Sequence, residues 1–153
     1  MKNNMMKKLL TLVLAGAMTL SLAACGAKDT PSADQPDNST EEAKTYKVAV
    51  IKQLDHASLD EIANAVTAEL DKIAADNGVT IEYEITSGQG DQTILKQLAD
   101  QAIADGVDAI VPIATTAAQI AALSAEDAKT PVVYAAVSDP ETAKLTGIDY
   151  VTG

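Results

Sequence analysis

The sequence predicts an α/β fold in which an open parallel sheet carries helices on both faces. Two observations lead to this prediction: short apolar runs alternate with segments of helical apolar spacing, and capping or turn residues separate them. Regular alternation of this kind is typical of parallel strands joined by right-handed helical crossovers. The predicted order over residues 46–153 is β-α-β-α-β-α-β.

The first half of this region supplies two strands and one helix. Residues 48–51 form an apolar run that suits a buried strand. In the helix that follows, a capping box begins at Ser58, apolar residues return at helical spacing, and Asn77-Gly78 supplies the stop. Residues 79–85 then alternate apolar and polar side chains, which indicates a strand with one face toward solvent or a rim.

The second half repeats the pattern twice. Asp91 is a candidate cap for a second helix, and residues 107–114 suit a fully buried strand. Thr115 or Thr116 begins a third, alanine-rich helix, and residues 132–137 complete the pattern as a fourth strand.

Residues 1–24 have the layout of a signal peptide. Three lysines precede an apolar run at residues 9–20, which is shorter than the roughly 20 residues that a permanent membrane-spanning helix needs. We therefore expect residues 1–24 to be removed and the remainder to be extracytoplasmic. Residues 25–45 are rich in Pro, Ser, Asp and Glu and poor in large apolar residues, so we expect a flexible linker.

Cys25 is the sole cysteine, and it follows Leu22-Ala23-Ala24. This segment resembles the lipobox of bacterial lipoproteins, in which small residues mark the cleavage point and the thiol accepts the lipid. We expect lipidation at Cys25 to anchor the protein to the cell membrane. The alternative is that Cys25 merely ends an ordinary secretory signal.

The charge balance of the mature part excludes nucleic acid as a partner. Three of the 11 basic residues leave with the signal peptide, so 8 remain against 22 acidic residues, a formal charge of −14. A surface this acidic repels phosphate backbones.

In open parallel sheets ligands collect at the carboxyl ends of the strands, so we expect the site in four loops. These loops are residues 52–57, 86–92, 114–117 and 138–142.

The first two loops offer polar candidates. Gln53, Asp55 and His56 group an amide, a carboxylate and an imidazole, which suits a polar ligand or, equally, a solvated turn; they are too few to hold a metal ion. The second loop, Gly-Gln-Gly-Asp, lacks the third glycine and the acidic residue of a dinucleotide fingerprint. A flexible loop with a helix cap is favoured there, with Gln89 and Asp91 as rim contacts.

The other two loops offer groups for an anion and for a cation. Thr115 and Thr116 present hydroxyls and backbone N–H groups where a strand enters a helix, a place that attracts carboxylates; simple threonine capping is compatible with this role. Ser138 and Asp139 precede Pro140, so Asp139 is a candidate for a ligand ammonium or for a cap on the segment that Pro140 begins.

Five segments together resemble the first lobe of ABC transporter substrate-binding proteins of the tryptophan and tyrosine uptake group. They are residues 46–51, 56–60, 90–92, 108–119 and 131–140. The resemblance implies a type I periplasmic-binding-protein fold, an amino acid or similar small carboxylate enclosed between two lobes, and delivery to an ABC permease. By position, the loops bearing His56, Thr115, Thr116, Ser138 and Asp139 would face the cleft.

Members of that family continue through a second lobe, so we expect this sequence to be truncated, with residues 145–153 beginning the crossover, and to bind weakly alone. A membrane-tethered sensory domain that signals to a receptor is the alternative function. No enzyme is expected, because the sequence offers no activated nucleophile, metal cluster or phosphate loop. No cofactor is expected either.

Overall fold

The computed structural model describes residues 44–153, which form a parallel five-stranded sheet with three helices. The elements are β1 (Thr45–Lys52), α1 (Ala57–Asn77), β2 (Thr80–Ser87), α2 (Gln92–Ala104), β3 (Ala109–Ile113), α3 (Thr115–Ser124), β4 (Val132–Val133) and β5 (Val151–Thr152). The strand order is β2-β1-β3-β4-β5, and every neighbouring pair is parallel. Cys25, the predicted signal peptide and nearly all of the predicted linker lie outside the described residues.

Helices cover both faces of the sheet, as predicted. Alternate residues of β1 point to opposite sides, so Val48 and Val50 pack toward α1 while Ile51 packs toward α2 and α3. Because β1 lies inside the sheet, its central residues are covered on both faces, and residues 48–51 are continuously apolar. None of the helices in residues 44–153 is long and apolar enough to cross a membrane.

The alternating pattern of residues 79–85 is explained by the position of β2 at the edge of the sheet. Tyr83 and Ile85 remain 37% and 40% exposed there. The Tyr83 hydroxyl donates to the Asp71 carboxylate of α1 at 3.1 Å, which connects the edge strand to the helix that covers it.

Of the predicted starts of the first two helices, the one at Asp91 is correct and the one at Ser58 is wrong. Asp91 caps α2, as predicted, by accepting from the backbone N–H groups of Thr93 and Ile94. The capping box at Ser58 is wrong, because the extended residue before α1 is His56, whose Nδ1 accepts from the backbone N–H of Ser58 at 3.2 Å. Ser58 therefore lies inside the first turn.

The strand predictions need three corrections. The third strand is shorter than residues 107–114, and the fourth is shorter than 132–137, since beyond Val133 only Ala135 forms an isolated bridge before Ala136 turns to φ 55°. Residues 145–153 are not only a connection, because they contain β5. The backbone N–H of Val132 donates to Tyr150 O at 2.8 Å, and this pairing places β5 in the sheet.

Candidate functional site

The parallel register brings the candidate loops together at the carboxyl edge of the sheet. Lys52, the last residue of β1, pairs with Ser87 on one side and with Ile113 on the other. Ile113 is bridged in turn to Ala135, two residues beyond β4. The loops after β2, β1, β3 and β4 consequently lie side by side in that order.

Gln53 lies at the centre of this edge and is half-buried. Its side-chain Oε1 accepts from the backbone N–H of Thr116 at 3.2 Å, at the first turn of α3. This contact is the direct link that the structure makes between two of the predicted site residues.

The residue before α3 is strained. Ala114 has φ 81° and ψ 161°, a region populated almost exclusively by glycine, and it has no side-chain capping bond. Threonine capping is therefore wrong, because Thr115 and Thr116 already belong to the helix. Both threonines are half-buried at the carboxyl edge. The Ala114 backbone N–H donates to Ala135 O at 3.0 Å, which holds the turn against the end of β4.

In the loop after β2, close packing requires glycine at the first glycine position, Gly88. Gly88 is buried, and an added Cβ would lie inside 3.0 Å of the Leu95 side chain. Gln89 is exposed with φ 52°, so its side chain stands in solvent at the rim. The backbone N–H groups of Ile94 and Thr93 hold the pKa of the Asp91 carboxyl below its ordinary value.

Lys52 is a residue at this edge that the sequence prediction did not select. Its side chain is 13% exposed, and its ammonium donates to Asp55 at 3.0 Å and to Asp60. These hydrogen bonds, to Asp60 first and then to Asp55, raise the pKa of Lys52. The hydrogen bond from Lys52 in turn lowers the pKa of Asp55. The sequence signal that could have identified Lys52 is its place at the end of a buried strand, shortly before the two acidic residues Asp55 and Asp60.

His56 and Asp139 both act as caps. His56 is exposed, and its Nδ1 accepts from the backbone N–H of Ser58. Asp139 accepts from the backbone N–H and the hydroxyl of Thr142 at 2.9 and 2.7 Å, so the capping alternative is confirmed. Those two donors lower its pKa, the backbone N–H contributing most. Ser138 beside it is exposed.

This edge carries groups that suit an anion and a group that suits a cation. The first turn of α3 and its two hydroxyls offer donors to an anion, and the ionised Asp139 offers an acceptor to a cation. Within residues 44–153, no group of three or more His, Cys, Asp or Glu side chains is placed to hold a metal ion.

A cavity of about 930 Å³ lies away from this edge, between α3 and the segment that leads to β5. Leu123, Glu126, Lys129 and Tyr150 are among its lining residues. The Tyr150 hydroxyl donates to Ala122 O at 3.1 Å, which joins the two walls.

A family model described as ABC transporter substrate binding protein matches residues 47–149. The chain is also similar to the tyrosine-binding protein of Clostridioides difficile strain R20291, with 28% identity over 140 residues. That match covers 91% of this chain and 40% of the relative, so the chain spans well under half of the curated protein's length.

Solved structures give the same picture. The ABC domain from Streptococcus pneumonia in complex with L-Trp matches with 34% identity and a TM-score of 0.57, over 67% of this chain and 34% of that one. The ligand-free, open form of a substrate binding protein with adhesive properties from Clostridium difficile matches with 27% identity and a TM-score of 0.59, over 67% and 34%. A possible leucine/isoleucine/valine-binding protein from Rhodopirellula baltica shares the fold, with 18% identity, a TM-score of 0.60 and coverage of 73% and 32%.

Proposed function

Because this chain belongs to the family of ABC transporter substrate binding proteins, we propose that it captures a free amino acid at the carboxyl edge of its sheet and delivers it to a membrane permease. The family consists of binding proteins and not of enzymes, so the expectation that the chain is no enzyme is confirmed.

The observation that carries the proposal is the first turn of α3, which opens on the edge where the four loops meet. The ligand carboxylate lies against the backbone N–H groups there and against the hydroxyls of Thr115 and Thr116. A helix N-terminus favours an anion through its partial positive charge and its N–H groups without intrahelical partners. Ala114 contributes no side-chain cap, and Gln53 Oε1 takes the Thr116 N–H, so the proposed carboxylate contacts are the other N–H groups of this turn and the two hydroxyls.

The ligand ammonium lies against Asp139, with Ser138 beside it. The lowered pKa keeps Asp139 ionised, and an ionised carboxylate is the acceptor that an ammonium requires. His56 and Gln89 are exposed at the rim and contact the ligand side chain or the opposing lobe. An aromatic amino acid is the favoured ligand, because the similar proteins include one named for tyrosine and one solved with L-Trp.

A second lobe completes the cleft in this proposal, as the greater length of the relatives suggests. Enclosure between two lobes removes water from the ligand and adds contacts. Lipid on Cys25 holds the protein near its permease, and residues 25–45 act as the tether.

Ligand analogues test the proposed carboxylate and ammonium contacts. The full chain has no Trp, so the fluorescence anisotropy of added L-tryptophan reports binding without background from the protein. Tryptamine lacks the carboxylate and indole-3-propionate lacks the ammonium. We expect each analogue to bind at least about tenfold more weakly than L-tryptophan, since each loses charge-assisted hydrogen bonds. Equal binding of tryptamine would contradict the carboxylate site.

The anchor is tested separately in cells grown with labelled palmitate. The wild-type chain should take up the label and fractionate with membranes, whereas Cys25→Ala should remain unlabelled. Label on the Cys25→Ala variant, or none on the wild type, would refute lipidation at Cys25.

A further inference from the structure

Gln53 connects three of the four loops at the carboxyl edge. Its backbone N–H donates to Ile113 O of β3 at 3.1 Å, and its backbone O accepts from the Gly90 N–H at 2.8 Å. Its side-chain Oε1 accepts from the Thr116 N–H of α3 at 3.2 Å. One residue after β1 is thus bonded to the end of β3, to the loop after β2 and to the start of α3.

The side-chain bond performs the task that a local cap performs elsewhere in this chain. α1 and α2 are capped by the residues that precede them, His56 and Asp91. Ala114 precedes α3 and has no side-chain oxygen, so the acceptor comes from Gln53, which lies 63 residues before Thr116. A side-chain acceptor at this place satisfies one of the donors that a helix leaves open.

We propose that Gln53 is a positioning residue for ligand capture, which acts through the first turn of α3 by fixing it against the end of β1. The sequence prediction treated Gln53 as a direct ligand contact. With Oε1 bound to Thr116 and the backbone bound on both sides, the residue sets where Thr115 and Thr116 stand. This inference rests on the proposed function only for its consequence in binding, and its structural part is measured without ligand.

The structural part is tested by amide hydrogen exchange at Thr116 in the full chain. Gln53→Met keeps the length of the side chain and removes the acceptor, whereas Gln53→Glu keeps an acceptor oxygen. We expect faster Thr116 exchange in Gln53→Met and wild-type protection in Gln53→Glu. Gln97→Met is the matched control, because Gln97 is exposed on α2, and it should leave Thr116 unchanged.

The binding part uses L-tryptophan anisotropy on the same proteins. Loss of a helix cap corresponds to about a fivefold change in an equilibrium constant, so Gln53→Met should weaken L-tryptophan binding by about fivefold. If Gln53→Met does not fold by circular dichroism, Gln53→Ala removes the same acceptor with less side chain to misplace.

Amide exchange at Thr116 and L-tryptophan binding together distinguish failure of the positioning role from failure of the proposed function. Unchanged Thr116 exchange in Gln53→Met, or equally fast exchange in Gln53→Glu, overturns the positioning role whatever the affinity. Faster exchange with unchanged affinity also overturns it, because the turn would then not govern capture. A wild-type chain that binds no amino acid overturns the proposed function, and the exchange rates alone then decide whether Gln53 holds α3.

Discussion

Gly88→Ala should destabilise the protein through one specific contact. The new methyl group would lie inside 3.0 Å of Leu95 Cγ and Cδ2, and 3.3 Å from Gln53 O. Leu95 is 1% exposed and packed among α2, α3 and the sheet, so it has no free space into which to move. Overpacking a core in this way costs about 1–3 kcal/mol. For a domain of about 110 residues, Tm falls by about 4–8 °C for each kcal/mol lost.

A double-mutant cycle isolates that contact. Leu95→Ala alone should cost about 2–5 kcal/mol, because it empties a fully buried site. In the double variant the Gly88→Ala methyl meets no leucine, so the double variant should be no less stable than Leu95→Ala alone. The expected coupling therefore equals the cost of Gly88→Ala, about 1–3 kcal/mol.

Urea unfolding followed by far-ultraviolet circular dichroism measures all four free energies of unfolding. Additive effects, within about 0.5 kcal/mol, would refute the claim that Gly88 is required by Leu95.

Three further outcomes are expected. Asp139→Asn keeps an acceptor for Thr142 but loses the charge, so it should retain thermal stability better than Asp139→Ala. L-tryptophan binding should fall at least about tenfold in both variants. Unchanged binding in Asp139→Asn would contradict the ammonium contact. The pKa of Asp91 is lowered in the folded state, so its stabilisation is present above the ordinary pKa of about 4 and is lost as pH falls through the lowered value. Asp91→Asn should therefore flatten the loss of stability between about pH 5 and 2 in urea titrations, and an unchanged slope would contradict this. Ala114→Gly should relieve a backbone strain of about 1–3 kcal/mol and add an entropic cost of about 0.5–1 kcal/mol. The free energy of unfolding in urea should therefore rise by about 1 kcal/mol. A lower free energy of unfolding would show that Ala114 is not strained.

The fold was predictable because its signals are local or periodic. The apolar run of β1, the cap at Asp91 and the helical spacing of α1 each depend on neighbouring residues, and the structure confirms them. β5 was missed because Val151–Thr152 has only two residues, too few for a period. Its place depends on pairing with β4, which lies 19 residues earlier in register.

The candidate site was only partly predictable. The four loops follow from the strand order, and the sequence identified them by position. The strain at Ala114 has no sequence signal, because alanine is not the residue expected at φ 81°. The bond from Gln53 to Thr116 joins residues 63 positions apart, and the packing of Gly88 on Leu95 depends on a loop conformation that spacing does not reveal.

The distant cap on α3 also predicts an order of events in folding. An isolated α3 has no acceptor at its start, so the bond to Gln53 forms only after β1 and β3 have paired and closed a long loop. Closing such loops is slow, and contacts that form after the rate-limiting step leave the folding rate unchanged. Gln53→Met should accordingly accelerate unfolding and leave refolding at the wild-type rate, which would show that the carboxyl edge around α3 closes late in folding; slower refolding would show that the bond forms before the rate-limiting step.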